Sequence, residues 1–360
     1  MGKMRIVIDS YWWFRGTQSL QHVVHGLVET WSAEYPQDEL VIVIRRKYAQ
    51  QTPRMPLNVR IIFTRVWPQA FAASLIVPWH AKRLHADAML THNFPPLFGR
   101  NRSVLIQDMI FATNPEWFTK SELAYFRWMI RLARRTNIVF STTQSEGNRI
   151  SQFTKASRIV PVGLGISGDL FTVEEKPLIG LTPFSFMLTV GRLNIRKNLG
   201  GLLEGAMNSQ LLSPSYPLVV AGTQDGEFGA FPAWVDDEVQ KGHIIFTGFV
   251  SMAQIRWLIR NCSFYSTLSL DEGFGLPPVE ARLLGASVLV SDLPVFHETL
   301  GNDATYVDPT SPEAIGEAMR TLASKSNTLC LPNSEFIARH SWQRTVSIMR
   351  RELLGNFPHG

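Results

Sequence analysis

The stretch FYSTLSLDEGFGLPPVEA at residues 264–281 decides the fold that this sequence predicts. It begins with a short apolar run typical of a buried strand. It ends in a helix with Pro277 in its first turn, where amide groups have no intrahelical partner. Between them, Gly273 and Gly275 let backbone N–H groups approach an anion at the helix start. This order of strand, glycine loop and helix predicts a diphosphate site at the carboxyl end of a parallel strand.

Two carboxylates, eight residues apart, bracket the glycine loop. Glu280 lies just inside the helix, where it is positioned to accept hydrogen bonds from ribose hydroxyls. Glu272 precedes the loop and is positioned to reach hydroxyls of a sugar attached to the diphosphate. The alternative is a plain strand–turn–helix with a glutamate near the positive end of the helix dipole. A second, basic element favours the nucleotide-sugar interpretation.

That second element is GRLNIRKNL at residues 191–199, which follows a predicted strand over 184–190. Arg192 and Lys197 flank this loop. A guanidinium and an ammonium group suit two phosphates and the charge that develops on a leaving group. A solvated basic turn is the alternative, but cations are mildly unfavourable near a helix N-terminus. We therefore expect both loops to serve one ligand.

Strands alternate with helices on both sides of these loops. Apolar runs predict the strands, and apolar residues at i, i+3, i+4 and i+7 predict the helices between them. The predicted strands lie at 5–8, 40–44, 59–63, 88–91, 104–107 and 138–141 in the first half, and at 184–190, 218–221, 244–247, 264–267 and 287–290 in the second. This alternation predicts an α/β protein with two doubly wound parallel sheets, joined between residues 165 and 183.

Composition agrees with two globular domains. The chain has 360 residues, of which 45% are hydrophobic and 18% are charged. Its two cysteines form no CxxC or Cys/His cluster, which argues against a disulfide framework or a zinc site and fits a reducing cytosol. A strand-like sequence begins at Arg5, so we expect no signal peptide, and no stretch is apolar enough to span a bilayer.

Charge divides the chain into a basic and a mildly acidic half. Residues 1–180 contain 22 Lys and Arg against 13 Asp and Glu, a balance of +9, and residues 181–360 contain 13 against 17, a balance of −4. The basic half is expected to meet an anionic membrane, a phosphate-bearing acceptor or nucleic acid. No nucleic-acid recognition motif accompanies the charge, so nucleic acid is not expected as a partner.

Taken together, the motifs resemble those of retaining glycosyltransferase family 4. The family's Glu-x7-Glu motif matches Glu272 to Glu280, and its basic element matches residues 191–199. Further matches are IFTGFV at 245–250, GNDATYVDP at 301–309 and the pair Ser341–Trp342. The resemblance is strong over 165–350 and loose over 1–165.

This resemblance implies the GT-B fold, in which two Rossmann-like doubly wound domains face a cleft. The implied domains are an acceptor-binding domain at 1–170 and a nucleotide-sugar-binding domain at 171–341. A final helix at 342–360 is expected to pack back on the first domain, which would explain why no strand follows it.

The resemblance also implies the donor site. Arg192 and Lys197 would hold the diphosphate, Glu280 the ribose, and Glu272 the donor sugar. The whole predicted donor set is Gly191, Arg192, Lys197, Glu272, Gly273, Phe274, Gly275, Leu276 and Glu280. Members of the family need no divalent metal, and the chain has no Asp-x-Asp triplet in a loop. We therefore expect no metal and no cofactor.

The acceptor residues are predicted in the basic half. The candidates are Gly16, Thr17, His92, Gln107 and Asp108. Gln107 stands where many members of the family have histidine before the aspartate. Glutamine cannot carry a proton, so Gln107 is predicted to bind a hydroxyl, and Asp108 to orient or deprotonate the acceptor. Asp108 thus joins Glu272, Arg192 and Lys197 as a predicted catalytic residue. For His92, a satisfied loop histidine is the alternative.

Two features of the basic half stay open. Trp12 and Trp13 either stack on acceptor sugars, contact lipid, or pack in the core. The predicted helix at 121–135 carries four arginines, and it either lies against anionic headgroups or is buried with one solvated basic face.

The resemblance implies an enzyme, a retaining and metal-independent hexosyltransferase. The expected reaction moves mannose from GDP-mannose to a hydroxyl of a glycan or lipid-linked acceptor, in lipopolysaccharide or other surface polysaccharide synthesis. The expected location is the cytoplasm, peripheral at the inner face of the cell membrane. The alternatives are another donor (GDP-fucose, dTDP-rhamnose or UDP-glucose) or a nucleotide-sugar epimerase.

Overall fold

The computed structural model describes residues 2–51, 54–192, 194–223, 231–325 and 329–356. The chain divides into unit 1, Met1–Ile166 with Ala338–Gly360, and unit 2, Ser167–Ile337. The boundaries drawn from the sequence, after 170 and after 341, each lie a few residues later than these.

Unit 1 is an α/β unit whose described part forms one seven-stranded parallel sheet. Its strands are β1 Arg5–Asp9, β2 Glu39–Arg45, β3 Val59–Thr64, β4 Ala88–His92, β5 Arg102–Ile106, β6 Ile138–Ser141 and β7 Ile159–Pro161. Its first helices are α1 Gln18–Glu34, α2 Gln69–Phe71, α3 Val77–Arg83, α4 Ile110–Thr113, α5 Lys120–Ala133 and α6 Gln144–Phe153. A π-helical turn at Ala72–Ile76 joins α2 to α3.

Local sequence explains these elements. The run at 40–44 in β2 is apolar at every position, which suits a parallel strand with helices on both faces. Helix α1 begins after Thr17, whose Oγ1 accepts a hydrogen bond from the N–H of Leu20 (3.3 Å). Its buried face consists of Val23, Val24, Leu27, Val28, Trp31 and Ser32.

The strand order of unit 1 is β3-β2-β1-β4-β5-β6-β7. The order reverses between β1 and β4, so the loops after these two strands lie at a topological switch point. Open α/β sheets bind ligands there, outside the carboxyl ends of the strands.

Unit 2 repeats the design with a six-stranded parallel sheet of order β10-β9-β8-β11-β12-β13. Its strands are β8 Met187–Val190, β9 Leu218–Ala221, β10 Ile244–Gly248, β11 Phe264–Thr267, β12 Val288–Ser291 and β13 Thr305–Val307. Its helices are α7 Asp169–Thr172, α8 Leu199–Ser209, α9 Ala233–Gln240, α10 Met252–Asn261, α11 Leu276–Leu283, α12 Pro294–Leu300 and α13 Pro312–Ala323. The switch point lies between β8 and β11, the strands that precede the two predicted ligand loops.

The predicted fold class, two doubly wound parallel sheets, is confirmed. The strand predicted over 184–190 is shorter, because Phe184 has a left-handed backbone (φ +59°) and the strand begins at Met187. The three-residue strands β7 and β13 were not predicted. A run of three residues is too short to display a period.

After helix α14, Ser334–Arg339, the chain ends in α15, Trp342–Asn356, which packs on unit 1 as predicted. Trp342 requires a bare backbone at two places. A Cβ on Gly26 of α1 would lie 2.0 Å from Cε2 of Trp342, and one on Gly165 would lie 2.3 Å from the backbone nitrogen of Trp342. Gly26 therefore allows α15 to approach α1 closely, and Gly165 allows the first residue of α15 to approach the segment that follows β7.

A buried ion pair fastens α15. Nε of Arg350 donates to Oδ2 of Asp38 (2.7 Å), and Nη2 donates to Oδ1 (3.0 Å). The indole of Trp31 and the N–H of Met4 also donate to the Asp38 carboxylate, each over 3.0 Å. Both charged side chains are almost fully buried. The positive charge of Arg350 is therefore neutralised by Asp38, the residue before β2.

We expect Arg350→Met to lower the free energy of unfolding by about 3–5 kcal/mol, because it leaves a buried carboxylate without its cation. The matched control is Arg351→Met, since the Arg351 side chain is 73% exposed and lies 3.9 Å from Glu352. The control should change stability by roughly 0.5 kcal/mol or less. Urea unfolding measures both variants, and equal losses would show that α15 is not fastened by this pair.

Candidate functional site

The candidate site of unit 2 is centred on Glu272, which follows β11 and is 8% exposed. Nζ of Lys197 lies 2.5 Å from Oε1 of Glu272. Nη1 of Arg196 lies 3.5 Å from Oε2, and Oγ of Ser269 donates to Oε1 over 2.8 Å. The two predicted loops thus meet at this carboxylate.

Electrostatics keep Glu272 ionised. Burial alone would raise the pKa of Glu272, but the charges of Lys197 and Arg196, with hydrogen bonds from Lys197 and Ser269, lower it to about 2. The side chain is therefore a permanent anion that accepts hydrogen bonds. Sugar hydroxyls are suitable donors for it.

The backbone of the basic loop places Lys197. Residues 195–197 form one 3₁₀ turn, and the Asn194 side chain accepts a hydrogen bond from the N–H of Lys197 (3.3 Å). Asn198 then adopts a left-handed backbone (φ +50°), caps α8 and donates through Nδ2 to the carbonyl of Pro309 (2.8 Å). Because both ends of the turn are anchored, Lys197 is held beside Glu272.

The sequence predicted Arg192 and Lys197 as diphosphate ligands and did not select Arg196, which forms an ion pair with Glu272. Arg192 lies just after β8 and is exposed. Both arginines are in the same motif, and the 3₁₀ turn brings Arg196 to the carboxylate. Arg192 stays a predicted phosphate ligand.

A glycine directly follows each of the strands β8 and β9, so no side chain is present at these two positions. Gly191 has φ +153° and Gly222 has φ +149°. A Cβ on Gly222 would lie 1.8 Å from the carbonyl oxygen of Gly191, so no side chain fits there. Gly191 was predicted as a site residue, whereas Gly222 was missed. Its position directly after a predicted strand was the available signal.

The glycine loop leads into α11 through Gly275, which has φ +84°. A Cβ on Gly275 would lie 2.5 Å from Cε1 of Phe296. Pro277 and Pro278 have no N–H group, so the backbone donors at this helix start belong to residues 273–276. Gly273 and Phe274 are buried and Leu276 is half-buried. These donors and the helix dipole are suited to an anion.

Glu280 lies on α11 and differs from Glu272 in having no counter-charge. Among the described residues, no hydrogen bond or ion pair reaches its carboxylate, and the side chain is half-buried. Burial raises the pKa of Glu280 to about 7. A carboxylate of this kind, left without partners in the folded chain, is suited to accept hydrogen bonds from a ligand.

Helix α11 is anchored at its other end by Arg282, whose Nε donates to Oδ1 of Asp303 (2.9 Å). Nη1 of Arg282 donates to the carbonyl of Cys330 (2.5 Å). The sequence prediction did not include this pair. Asp303 lies in the predicted motif at 301–309, which therefore has a structural role.

We expect Gly275→Ala to lower the free energy of unfolding by about 1–3 kcal/mol, because alanine is strained at this φ and collides with Phe296. It should also weaken nucleotide binding. The control Gly200→Ala lies in α8, where a Cβ meets nothing within 4 Å, and should gain roughly 0.5–1 kcal/mol. Urea unfolding and nucleotide-induced thermal shifts measure both variants. An unchanged Gly275→Ala protein would contradict the predicted strain.

In unit 1, the predicted acceptor residues gather at the carboxyl ends of β1, β4 and β5. The N–H of Gln107 donates to Oδ1 of Asn93 (3.1 Å), and its Nε2 lies 3.5 Å from the carbonyl of Ser19. Asp108 follows and is half-buried. Thr17 caps α1 through its hydroxyl, so a structural role accounts for it, and Gly16 packs against Trp12.

His92 ends β4 and is buried together with Asp9 at the end of β1. Gln69 links the two, since its Nε2 donates to Oδ2 of Asp9 and to the carbonyl of His92, each over 2.9 Å. Burial raises the pKa of Asp9 to about 6, although hydrogen bonds from Gln69 and the backbone oppose it. Asp9 and Gln69 were missed by the sequence prediction.

Burial lowers the pKa of His92 to about 4, with the nearby Gln107 side chain acting weakly in the other direction. The imidazole is therefore neutral near pH 7. Within the described part of the chain, neither ring nitrogen has a hydrogen-bond partner of ordinary geometry. His92 is thus not the satisfied loop histidine of the alternative interpretation.

The aromatic loop after β1 is largely part of the core. Trp13 is 3% exposed and its ring lies 4.1 Å from that of His25, which supports the packing interpretation for this residue. The hydroxyls of Ser10 and Tyr11 and the indole nitrogen of Trp12 are buried without a hydrogen-bond partner in the described residues. Polar atoms without partners therefore adjoin His92 at this switch point.

In the part of the chain that the structure describes, no helix has both the length and the apolar character needed to cross a membrane. Likewise, within that part of the chain no three His, Cys, Asp or Glu side chains are grouped as metal ligands.

Residues 179–331 match the family described as glycosyl transferases group 1. The O-antigen chain mannosyltransferase RfbU of Salmonella typhimurium is 26% identical over 305 residues, which cover 83% of this chain and 80% of that protein. The GDP-mannose:cellobiosyl-diphosphopolyprenol alpha-mannosyltransferase of Xanthomonas campestris is 23% identical over 256 residues, 66% of this chain and 65% of that one. The serotype-specific mannosyltransferase WbdA of Escherichia coli is matched over only 29% of its length.

Solved structures agree on the fold. WaaG, a glycosyltransferase involved in lipopolysaccharide biosynthesis, superposes with a TM-score of 0.64 at 14% identity, over 99% of this chain and 100% of that one. Sucrose-phosphate synthase from Thermosynechococcus elongatus superposes with a TM-score of 0.69 at 15% identity, over 98% and 99%.

The chain is therefore a glycosyltransferase with the GT-B fold. More particularly, residues 179–331 are a glycosyltransferase group 1 domain, and the relatives are mannosyltransferases of O-antigen and lipid-linked glycans. The resemblance predicted from the sequence motifs is confirmed.

Proposed function

We propose that this glycosyltransferase moves mannose from GDP-mannose, with retention of configuration, to a hydroxyl of a glycan or lipid-linked acceptor in surface polysaccharide synthesis. The observation that carries the proposal is the asymmetry of the two glutamates. Glu272 is charged and paired with Lys197, whereas Glu280 has no counter-charge. A nucleotide-sugar offers phosphates to Lys197, sugar hydroxyls to Glu272 and ribose hydroxyls to Glu280. The relatives are named as mannosyltransferases, which supports mannose as the sugar.

The donor would be bound by unit 2. Lys197 and Arg192 neutralise the diphosphate, and the N–H groups of residues 273–276 donate to its oxygens. Glu272 accepts hydrogen bonds from the sugar and, through its charge, holds Lys197 beside the leaving phosphate. Because these groups are placed before the reaction, they stabilise the charge on the leaving group at little reorganisation cost.

The acceptor would be bound by unit 1. Asp108 orients the acceptor hydroxyl, Gln107 donates a hydrogen bond to a neighbouring oxygen, and neutral His92 lines the same end of the sheet with Gly16 and Thr17. The acceptor oxygen forms the new bond to the anomeric carbon as the bond to the diphosphate breaks. The acceptor proton passes to an oxygen of the departing diphosphate, so retention needs no separate nucleophile.

We place the enzyme in the cytoplasm, at the inner face of the membrane, because a lipid-linked acceptor is confined to that surface. A nucleotide-sugar epimerase is the competing function. An epimerase converts its substrate without releasing nucleoside diphosphate.

The test is release of nucleoside diphosphate by the full chain, supplied in turn with GDP-mannose, GDP-fucose, dTDP-rhamnose and UDP-glucose. We expect GDP from GDP-mannose, released at a rate that depends on a lipid-linked glycan acceptor. Release from another donor would overturn the choice of mannose, and conversion without release would favour the epimerase. The configuration of the product is checked by nuclear magnetic resonance.

Metal independence is part of the proposal. Because Lys197, Arg192 and a helix start take the place of a cation at the diphosphate, we expect turnover to be unchanged by excess EDTA. The control is a metal-dependent nucleotide-sugar transferase under the same chelation. Loss of activity that returns with magnesium or manganese would contradict this assignment.

A further inference from the structure

Residues 40–86 of unit 1 contain eight Lys or Arg and no Asp or Glu. Seven of these eight side chains are exposed, and four of the seven, Arg60, Arg65, Lys82 and Arg83, form no ion pair within the described residues. Exposed cations without acidic partners among the described residues give this part of the surface a positive potential.

Large apolar side chains are exposed in the same segment. Trp67 is 70% exposed, Phe71 49%, Leu75 37% and Trp79 47%. They are spaced four residues apart, so Phe71, Leu75 and Trp79 follow one face of the continuous helical segment at 69–83. Phe63 of the edge strand β3 and Phe98 are also exposed, at 39% and 37%. Soluble surfaces seldom present this many aromatic side chains in one segment.

The opposite face of the segment is buried. Ala70 and Ala73 pack in one core cluster of unit 1, and Val77 and Ala81 in another. The exposed face is therefore not the result of a helix detached from the core. The segment is a fixed amphipathic helix whose exposed apolar side chains lie on the face opposite these two core clusters.

The cations border the aromatic face. The guanidinium of Arg83 lies 5.4 Å from the ring centre of Trp79, and the ring of His80 lies 4.6 Å from the same tryptophan. Burial lowers the pKa of His80, and the charges of Arg83 and Arg60 lower it further, so Arg60 of β3 shares this surface. Aromatic and basic side chains are thus interleaved.

We propose that this surface docks unit 1 on an anionic lipid bilayer. We call it the aromatic–basic surface: Trp67, Phe71, Leu75 and Trp79 with Arg60, Arg65, Lys82 and Arg83. The helical segment would lie in the plane of the interface, with its tryptophans at the level of the headgroups and its cations on the lipid phosphates. The inference rests on the proposed function, since a lipid-linked acceptor is reached from the membrane surface.

Helix α5 was the membrane candidate that the sequence suggested, and the structure favours the other surface. Arg127, Arg131, Arg134 and Arg135 are exposed, but Trp128 is the large apolar side chain that accompanies them, 48% exposed. Tyr125 and Phe126 pack towards the core of unit 1. Helix α5 attracts phosphate but offers little apolar surface to insert, which makes it a matched control.

The test is sedimentation of the full-length protein with vesicles of phosphatidylglycerol and phosphatidylcholine in equal amounts, compared with phosphatidylcholine alone. Three variants are compared with the parent: Phe71→Ser/Leu75→Ser/Trp79→Ser, Arg60→Gln/Lys82→Gln/Arg83→Gln, and the control Arg131→Gln/Arg134→Gln/Arg135→Gln. We expect the first to bind anionic vesicles at least 10-fold more weakly and the second roughly 100-fold more weakly. The control should change by about 2-fold or less, because the arginines of α5 lie outside the aromatic–basic surface and exposed charges that do not contact the lipid are screened at physiological salt.

A conservative variant guards against loss of fold. Trp79→Phe should bind vesicles like the parent. The emission of Trp79, obtained as the fluorescence of the parent minus that of Trp79→Phe, should be quenched by lipids brominated on the acyl chain. Parent-like vesicle binding by the serine variant, or a larger loss in the α5 control, would overturn the proposal. Self-association that the serine variant abolishes would also overturn it, because a second copy would then cover the surface.

The membrane-docking proposal and the proposed function can fail independently of each other in these experiments. Every variant should release GDP at the parent rate with a short soluble acceptor, since none of the substituted residues belongs to the candidate site. Vesicle binding without any glycosyl transfer would overturn the proposed function and leave this surface standing.

Discussion

Replacing Lys197 with methionine should lower kcat/KM for the donor by about 100- to 1000-fold, the cost of removing one placed charge from a developing anion. The ammonium group is 2.5 Å from Glu272 and is the group that we assign to the leaving diphosphate. Its removal also leaves the buried carboxylate with Arg196 and Ser269 alone, so the pKa of Glu272 should rise. Steady-state kinetics with varied donor measures the first effect.

The matched control is Lys241→Met. Lys241 also pairs with a glutamate, since its Nζ lies 2.8 Å from Oε1 of Glu238. Lys241 directly follows α9, and its side chain is 57% exposed. The Glu238 carboxylate keeps a second partner, Nδ1 of His243 at 2.6 Å, so this variant should keep parent activity and lose about 1 kcal/mol of stability or less. If Lys197→Met turns over like Lys241→Met, the diphosphate assignment is wrong.

Stability separates the two roles of Lys197. The double variant Lys197→Met/Glu272→Gln removes both charges, so no buried anion is left without its main partner. We expect it to unfold at a higher temperature than Lys197→Met while staying inactive. Recovery of activity in the double variant would mean that Lys197 serves only to neutralise Glu272.

Glu280→Gln should raise KM for the donor by about 10- to 100-fold, because hydrogen bonds to a charged group contribute about 1.5–3 kcal/mol. Glutamine keeps the shape of the side chain but replaces one acceptor oxygen with an amide. The matched control is Glu204→Gln on α8, an exposed helical glutamate with no assigned role. Isothermal titration with GDP measures both, and parent-like affinity in Glu280→Gln would contradict ribose binding.

The same substitution should make the unliganded protein more stable at neutral and alkaline pH. Folding raises the pKa of Glu280 from 4.5 to about 7, so the folded state favours the protonated form. The stability that this preference contributes is present below pH 4.5 and is lost as the pH rises through about 7. The Glu280→Gln side chain does not titrate, so this variant should keep that stability as the pH rises.

The difference in melting temperature between Glu280→Gln and the parent should therefore be near zero at pH 4 and grow to a plateau above the pKa of about 7. Donor binding has the opposite slope in the parent, because a ligand that needs the carboxylate binds better as the group ionises. A melting-temperature difference that does not depend on pH would show that burial does not raise the pKa of Glu280.

The sequence motifs predicted more of unit 2 than of unit 1. Glu272, Gly275 and Lys197 lie at the ends of β8 and β11, where the motifs put them, because the strand–loop–helix order confines a short loop to one edge of the sheet. In unit 1 the predicted residues also reach one edge, but Asp9 and Gln69 were missed. An aspartate at a strand end and a glutamine at the start of a helix carry no distinctive local pattern.

The sequence pattern does not show which cation contacts the buried carboxylate of Glu272. Arg192 and Arg196 belong to one loop, and hydrophobic periodicity does not distinguish between them. The 3₁₀ turn capped by Asn194 brings Arg196 to Glu272. Similarly, the spacing of the exposed aromatic side chains at 67–79 is visible in the sequence, but their exposure depends on which face of the segment the core of unit 1 covers.

The sequence by itself determined the fold class, the position of the two candidate ligand loops and the final helix, because these follow from periodicity and from glycine and proline chemistry over a few residues. Tertiary structure alone decided the pairs that give the site its charges. Lys197 and Glu272 are 75 residues apart in the chain, and Asp9 and Gln69 are 60 apart. Parallel strands bring such residues together through crossovers, so their distances and pKa values depend on the packing of the whole unit.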